Sequence, residues 1–113
     1  MPFINVKTNC ELTPASIDSI KTKLGQAITA IPGKSEGWLM VDIEDGHKLY
    51  FKGTDAPAAM VSVSIYGNAS QNALNVLTSH ITGILIDEAG ISSDRIYVSY
   101  MCTNDWGWNG SNF

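Results

Sequence analysis

The order of apolar and polar residues divides the chain into short alternating runs and longer helical ones. Pro2, Ile4 and Val6 alternate with Phe3, Asn5 and Lys7, the period of a strand. Thr13-Pro14 then reads as a helix N-cap followed by proline at the first helical position, where its missing N–H does no harm. Ile17, Ile20, Leu24, Ala27, Ile28 and Ile31 follow at helical spacing, an apolar stripe that Pro32-Gly33 brings to an end. Trp38 to Ile43 reads as a strand apolar on both faces except at Asp42. Asp45-Gly46 reads as a turn into the short run Lys48 to Phe51.

The same succession then returns. Ala58 to Ile65 is a strand, cleanly alternating from Met60 onward. Ser70 caps a helix carrying Leu74, Leu77, Ile81, Ile84 and Leu85, Gly90 ends it, and Arg95 to Met101 is a further strand. An offset of 58 residues takes Ser35 to Ser93, Phe3 to Val61 and Pro14 to Asn72. Two β-α-β units in tandem therefore make one α+β domain over residues 1–113, a four-stranded mixed sheet with both helices on one face. That arrangement leaves the sheet's other face to be covered. Phe3, Trp38, Met40 and Tyr97 are more large apolar side chains than two helices can shelter, so the pattern predicts that sheets of several subunits pack together.

Composition narrows the picture. The chain has 113 residues, 44% of them hydrophobic, enough for one real core. Only 16% are charged, against about 25% in ordinary globular domains, which again suggests surface covered by further copies. A net charge of −4 gives neither a nucleic-acid footprint nor a polybasic membrane patch. No apolar run is long enough to span a membrane and the start carries no signal-peptide pattern. Cys10 and Cys102 lie in no paired motif and read as free thiols, the usage of a cytosolic protein. Asn68-Ala69-Ser70 and Asn109-Gly110-Ser111 match the glycosylation pattern, idle without secretion.

Conventional chemistry is missing. There is no phosphate-binding Gly-rich loop, no His-x-x-x-His, no Cys-x-x-Cys and no nucleophile elbow, so no metal and no cofactor is expected. Glu44 and Asp45 adjoin a turn, His47 and His80 read as structural or exposed, and Asp87-Glu88 ends a helix on its wet face. The remaining candidate is the start. Once Met1 is removed, Pro2 carries a free secondary amine, and apolar neighbours lower the pKa of such a group by disfavouring its charged form. A neutral amine near pH 7 is a good base for taking a proton from carbon. By itself Pro2 could equally be a residue that merely starts a strand.

Several further stretches accompany it. They are Pro32-Gly33-Lys34, Phe51-Lys52-Gly53-Thr54-Asp55, Ser64-Ile65, the run Ile91 to Tyr97, and the tail Trp106-Gly107-Trp108-Asn109-Gly110-Ser111-Asn112-Phe113. In order, spacing and joint presence behind Met1-Pro2, they resemble the macrophage migration inhibitory factor family of the tautomerase superfamily, over nearly the whole chain. The resemblance implies a homotrimer with active sites at subunit boundaries and keto–enol tautomerisation of small aromatic keto acids such as phenylpyruvate, without a cofactor. It implies Pro2 as the catalytic base and Lys34 as the cation holding the substrate carboxylate, aided by the Ile65 backbone N–H and the Ser64 hydroxyl. Lys34 also has the simpler reading of a cation at a helix C-terminus. The resemblance further implies Tyr97 from a neighbouring subunit, and Trp38, Trp106, Trp108 and Phe113 as an aromatic wall. Where Ser99 stands, the family's cytokine carries asparagine against the far end of the substrate; the shorter serine weakens the expected preference for a ring hydroxyl. A Cys-x-x-Cys of that relative is replaced by Pro57-Ala58-Ala59-Met60, leaving no thiol-redox pair. The second role the family combines with catalysis is receptor binding after non-classical release.

Overall fold

A computed structural model describes residues 1–113. The chain runs β1 (Pro2–Thr8), α1 (Pro14–Ala27), β2 (Met40–Glu44), β3 (Ala59–Tyr66), α2 (Gln71–Ala89) and β4 (Ile96–Thr103), with a small hairpin of β5 (Gly107–Trp108) and β6 (Ser111–Asn112) at the end. The main sheet has the order β2-β1-β3-β4; β1 pairs antiparallel with β3, and the two outer pairs are parallel. This is the four-stranded mixed sheet of two β-α-β units that the repeat predicts.

Local chemistry explains the boundaries. The Thr13 hydroxyl accepts the Ser16 N–H at 3.1 Å ahead of Pro14, and the Ser70 hydroxyl accepts the Ala73 N–H at 3.1 Å. Both satisfy donors that a helix start leaves unpaired. Gly90 ends α2 in the left-handed conformation, φ 66°. Helix α1 stops earlier than Pro32-Gly33, at Ala27, and tightens into a 3₁₀ turn over Ile28–Ala30. There the Thr29 hydroxyl donates to the Gln26 carbonyl at 2.7 Å and competes for the helical acceptor. The apolar stripe survives the change, since Ile28 and Ile31 are both buried.

One core lies between the helices and one sheet face. Ile4, Val6, Val61, Val63 and Ile65 meet Ile20, Leu24, Ile28, Leu77, Ile81 and Leu85 there. Each such side chain contributes about 1.5–3 kcal/mol by leaving water. The opposite face is open: Met40 is 68% exposed, Tyr97 60% and Met101 55%.

Four expectations need correction. Trp38 is not on a strand but closes a 3₁₀ turn, Glu36–Trp38, and β2 begins only at Met40. Lys48 to Phe51 is no strand either, because its surroundings are held by side chains. Asn9 Nδ2 donates to the carbonyls of Leu49, Asp55 and Ala56, and Arg95 to those of Phe51, Thr54, Ala56 and Pro57. Nor does Asp45-Gly46 close a hairpin. Asp45 accepts the Leu12 N–H at 3.0 Å, and Gly46 N–H donates to the Cys10 carbonyl, so the turn docks beyond the end of β1. Finally, the offset between the halves is 57, taking Pro2 to Ala59, Thr13 to Ser70 and Glu36 to Ser93. An offset of 58 would lay half-buried Phe3 on buried Val61; a one-residue slip in a strand exchanges its faces.

Candidate active site

Pro2 begins β1 and is buried. Tyr66 N–H donates to the Met1 carbonyl at 3.1 Å, so Met1 and Tyr66 form the hydrogen-bonded pair of the antiparallel ladder, and Pro2 with Ile65 the next, unbonded one. The Pro2 nitrogen consequently faces away from β3, toward β2. No ladder partner waits there, because β2 begins at Met40, opposite Phe3. Proline suits this position for a geometric reason: the ring Cδ that stands in place of its N–H faces β2, where no ladder carbonyl is left unpaired.

Beyond the end of β2 is a pocket of about 380 Å³ lined by Met1, Pro2, Phe3 and Gly37–Met40 on one side and by Trp106–Trp108 on the other. The indoles of Trp38 and Trp108 meet edge to face, centroids 5.1 Å apart at 84°, an arrangement favoured by the ring quadrupoles. The tail reaches the pocket because Asn109 and Gly110 both take positive φ, 53° and 87°. These are the angles of a type I′ turn, and they fold β6 back on β5. Phe113 N–H then donates to the Trp106 carbonyl at 3.0 Å, and the Phe113 ring packs on Tyr66 at 5.1 Å.

Lys34 supplies the charge. Because α1 has ended at Ala27, Lys34 is no helix-terminal cation; it follows Gly33, whose φ of 82° turns the chain. Its Nζ donates to the Tyr66 carbonyl at 2.9 Å and stands 5.9 Å from the Tyr66 ring centre. The Met1 amine lies within hydrogen-bonding and Coulombic reach of the same Nζ. Burial first, and then Lys34, lower its pKa from 8.0 to about 6. The Met1 amine is therefore largely neutral at pH 7.

The architecture and the whole length have known counterparts. A family model described as macrophage migration inhibitory factor matches residues 1–113. The chain belongs to that family. It is 31% identical to the macrophage migration inhibitory factor homolog of Trichuris trichiura, over all of both chains, and 30% identical to that factor of Mus musculus, over all of this chain and 99% of the other. Among solved structures, that of Leishmania major MIF2 superposes with a TM-score of 0.93 at 32% identity, covering all of this chain and 97% of that one. The family belongs to the tautomerase superfamily of isomerases.

Against this family background the candidate residues fall into two groups. Pro2, Lys34, Trp38, Trp106, Trp108 and Phe113 come together at one end of the sheet, and Ser64 is the register partner of Phe3 beside them. Tyr97 and Ser99 lie elsewhere. Tyr97 is in register with Met60, five rungs from the Pro2–Ile65 pair, about 17 Å along the strands. Ser99 is three rungs away, on the outer strand β4. Neither lines the pocket of its own chain.

Sequence reasoning missed Tyr66. It presents both backbone groups to Met1 and Lys34, and the Ile65 side chain beside it is fully buried in the core. No three His, Cys, Asp or Glu side chains cluster closely enough to hold a metal ion. What the site offers chemically is an amine of lowered basicity, a fixed cation beside it and an aromatic wall.

Proposed function

We propose that the chain, after loss of Met1, is a cofactor-independent keto–enol tautomerase acting on phenylpyruvate-like aromatic keto acids. The observation that carries this reading is the meeting of the β1 terminus, Lys34 and the Trp-lined pocket within one site. In the proposed reaction the neutral Pro2 nitrogen takes a proton from the carbon next to the keto group. Electrons of that C–H bond form the enol double bond and negative charge gathers on the keto oxygen; the Pro2 ammonium then returns the proton to that oxygen. Lys34 holds the substrate carboxylate as a point charge. Removal of Met1 frees the Tyr66 N–H from its present acceptor, which makes it a second donor for that carboxylate, with the Ser64 hydroxyl nearby. Trp38, Trp106, Trp108 and Phe113 exclude water around the aromatic ring, which strengthens each charge interaction.

The active assembly in this reading is a homotrimer. Its support is the open, apolar-rich sheet face and the distance of Tyr97 and Ser99 from their own pocket, which a neighbouring subunit would make useful. Intact mass and native mass of one preparation, with a phenylpyruvate assay on it, test the proposal together. Met1-free trimer is expected to turn over substrate, and Pro2→Gly to lose the rate; undiminished turnover in that variant would sink the assignment. The names of the relatives favour a second reading, a signalling protein acting through a receptor surface with the pocket vestigial. It predicts receptor binding that survives in the Pro2→Gly protein.

A further inference from the structure

The end of the sheet opposite Pro2 carries an organised cluster for which core packing gives no account. Arg95, in the turn just before β4, donates Nε to the Pro57 carbonyl at 2.9 Å, Nη1 to Phe51 at 3.1 Å, and Nη2 to Thr54 at 3.2 Å and Ala56 at 3.0 Å. Its guanidinium also lies 5.2 Å from the centre of the Phe51 ring. Phe51 is bridged to Thr54 in both directions, at 2.9 and 3.1 Å, across a tight turn in which Lys52 and Gly53 have φ of 52° and 77°. This fixing of a surface turn brings one side chain to the open sheet face. The Phe51 ring meets Tyr97 edge to face, centroids 4.8 Å apart at 66°.

Tyr97 is 60% exposed on the open sheet face, where a long aromatic side chain has several rotamers open to it. A ring held rigidly at one side selects among them. We infer that Phe51, itself held by Arg95, is a positioning residue for Tyr97, fixing the ring that forms the far wall of a neighbouring subunit's pocket. The inference rests on the trimeric tautomerase reading above and deepens it: the 51–57 loop, remote from the pocket of its own chain, sets substrate affinity in another.

A double-mutant cycle in Met1-free protein tests it, with phenylpyruvate as the probe and native mass as the check on assembly. Phe51→Leu, which keeps apolar bulk but loses the ring, should raise KM about 3- to 10-fold, the worth of one aromatic pair, with kcat and the pH midpoint unmoved. Phe51→Tyr should restore KM. In a Tyr97→Ala background the Phe51→Leu effect should vanish. Effects that simply multiply overturn the inference alone, because Tyr97 would then line the pocket without help from Phe51. A Tyr97→Ala protein with unchanged KM removes the neighbour-supplied wall itself, and the inference with it. Should Phe51→Leu fail to assemble, Arg95→Lys enters the same cycle. It leaves the ring in place but cannot hold four carbonyls at once, and it should couple to Tyr97 in the same sense.

Discussion

The two β-α-β halves share a backbone and differ at one end of it. An offset of 57 lays Gly33 on Gly90, both at positive φ, and Ser35 on Ser92, each leading into a 3₁₀ turn. At the same offset Pro2 falls on Ala59, Lys34 on Ile91 and Trp38 on Arg95. Ile91 is buried at 1% exposure, and Arg95 spends its guanidinium on loop carbonyls. The second half thus fills its end with packing and hydrogen bonds, where the first leaves a cation and an indole around a chain end. How each strand is entered separates them. The Ala58 N–H is held by Asn9 and the Ala58 carbonyl by the Thr8 hydroxyl at 2.7 Å, so β3 begins as ordinary amide backbone. In the proposed reaction Pro2 acts as a terminal amine, and the first half departs from the second around that residue.

The sharpest way to break this comparison is to alter the two strand starts in parallel. Pro2→Gly should lower kcat/KM for phenylpyruvate by about 10²–10⁴-fold, the usual worth of a positioned general base, at nearly unchanged melting temperature. Its counterpart Ala59→Gly should leave the rate alone and lower stability by about 1 kcal/mol, from backbone entropy. Equal rate losses in both proteins would mean that the strand, and not its terminal amine, matters. Next in size is the pair Lys34 and Ile91. Ile91→Ala should lower unfolding stability in urea by about 2–5 kcal/mol with KM intact. Lys34→Ala should do the reverse, raising KM about 10- to 100-fold for loss of a charged hydrogen bond while the urea midpoint stays put.

The same lysine gives a pH signature. An amine whose pKa is lowered is neutral, and able to act as a base, over a wider range on the acid side. The rate in Met1-free protein should therefore rise with pH and level off, with a midpoint below the usual amino-terminal range of about 7.7–8.0. Burial and then Lys34 lower the pKa of the Met1 amine, one residue before Pro2. Lys34→Ala removes the second cause and should move the midpoint upward. A midpoint that stays fixed, or moves down, would separate Lys34 from the base.

Most of the frame was legible because it rests on local rules. Alternation marked β1 and β3, helical spacing marked the two stripes, and Thr13, Ser70 and Gly90 cap as their types do. What escaped depends on contacts distant in sequence. Trp38 looks like a strand residue beside Leu39 and Met40, and only its edge contact with Trp108, 70 positions on, shows why it stands in a turn. Phe51-Lys52-Gly53-Thr54-Asp55 stood out only as a stretch shared with the family; Arg95 makes it a clamped loop. Tyr66 was passed over because its contribution is made by backbone atoms, which leave no trace in residue type. That Tyr97 would serve a neighbouring subunit was an expectation from family resemblance alone; strand register adds only that Tyr97 and Ser99 lie five and three rungs from the Pro2–Ile65 pair. Asn109-Gly110 carried the sequence mark of a type I′ turn throughout, beneath a glycosylation pattern that drew the eye instead.

That turn yields the smallest effect and the finest form of the comparison. Gly110 and Gly90 both stand at positive φ, 87° and 66°, with open space where a Cβ would go, so alanine meets backbone strain and no steric obstacle. Each substitution should cost about 1–2 kcal/mol locally. In Gly90→Ala that cost falls on the end of a 19-residue helix packed into the core, and it should appear as lower global stability with KM unchanged. In Gly110→Ala it falls on two strands of two residues each, too short to hold together alone. The tail should then leave the pocket part of the time, with tryptophan emission shifting to the red and KM for phenylpyruvate rising a few-fold at unchanged urea midpoint. A Gly110→Ala protein that loses global stability but keeps its KM would show the hairpin to be part of the core rather than the movable wall of the pocket.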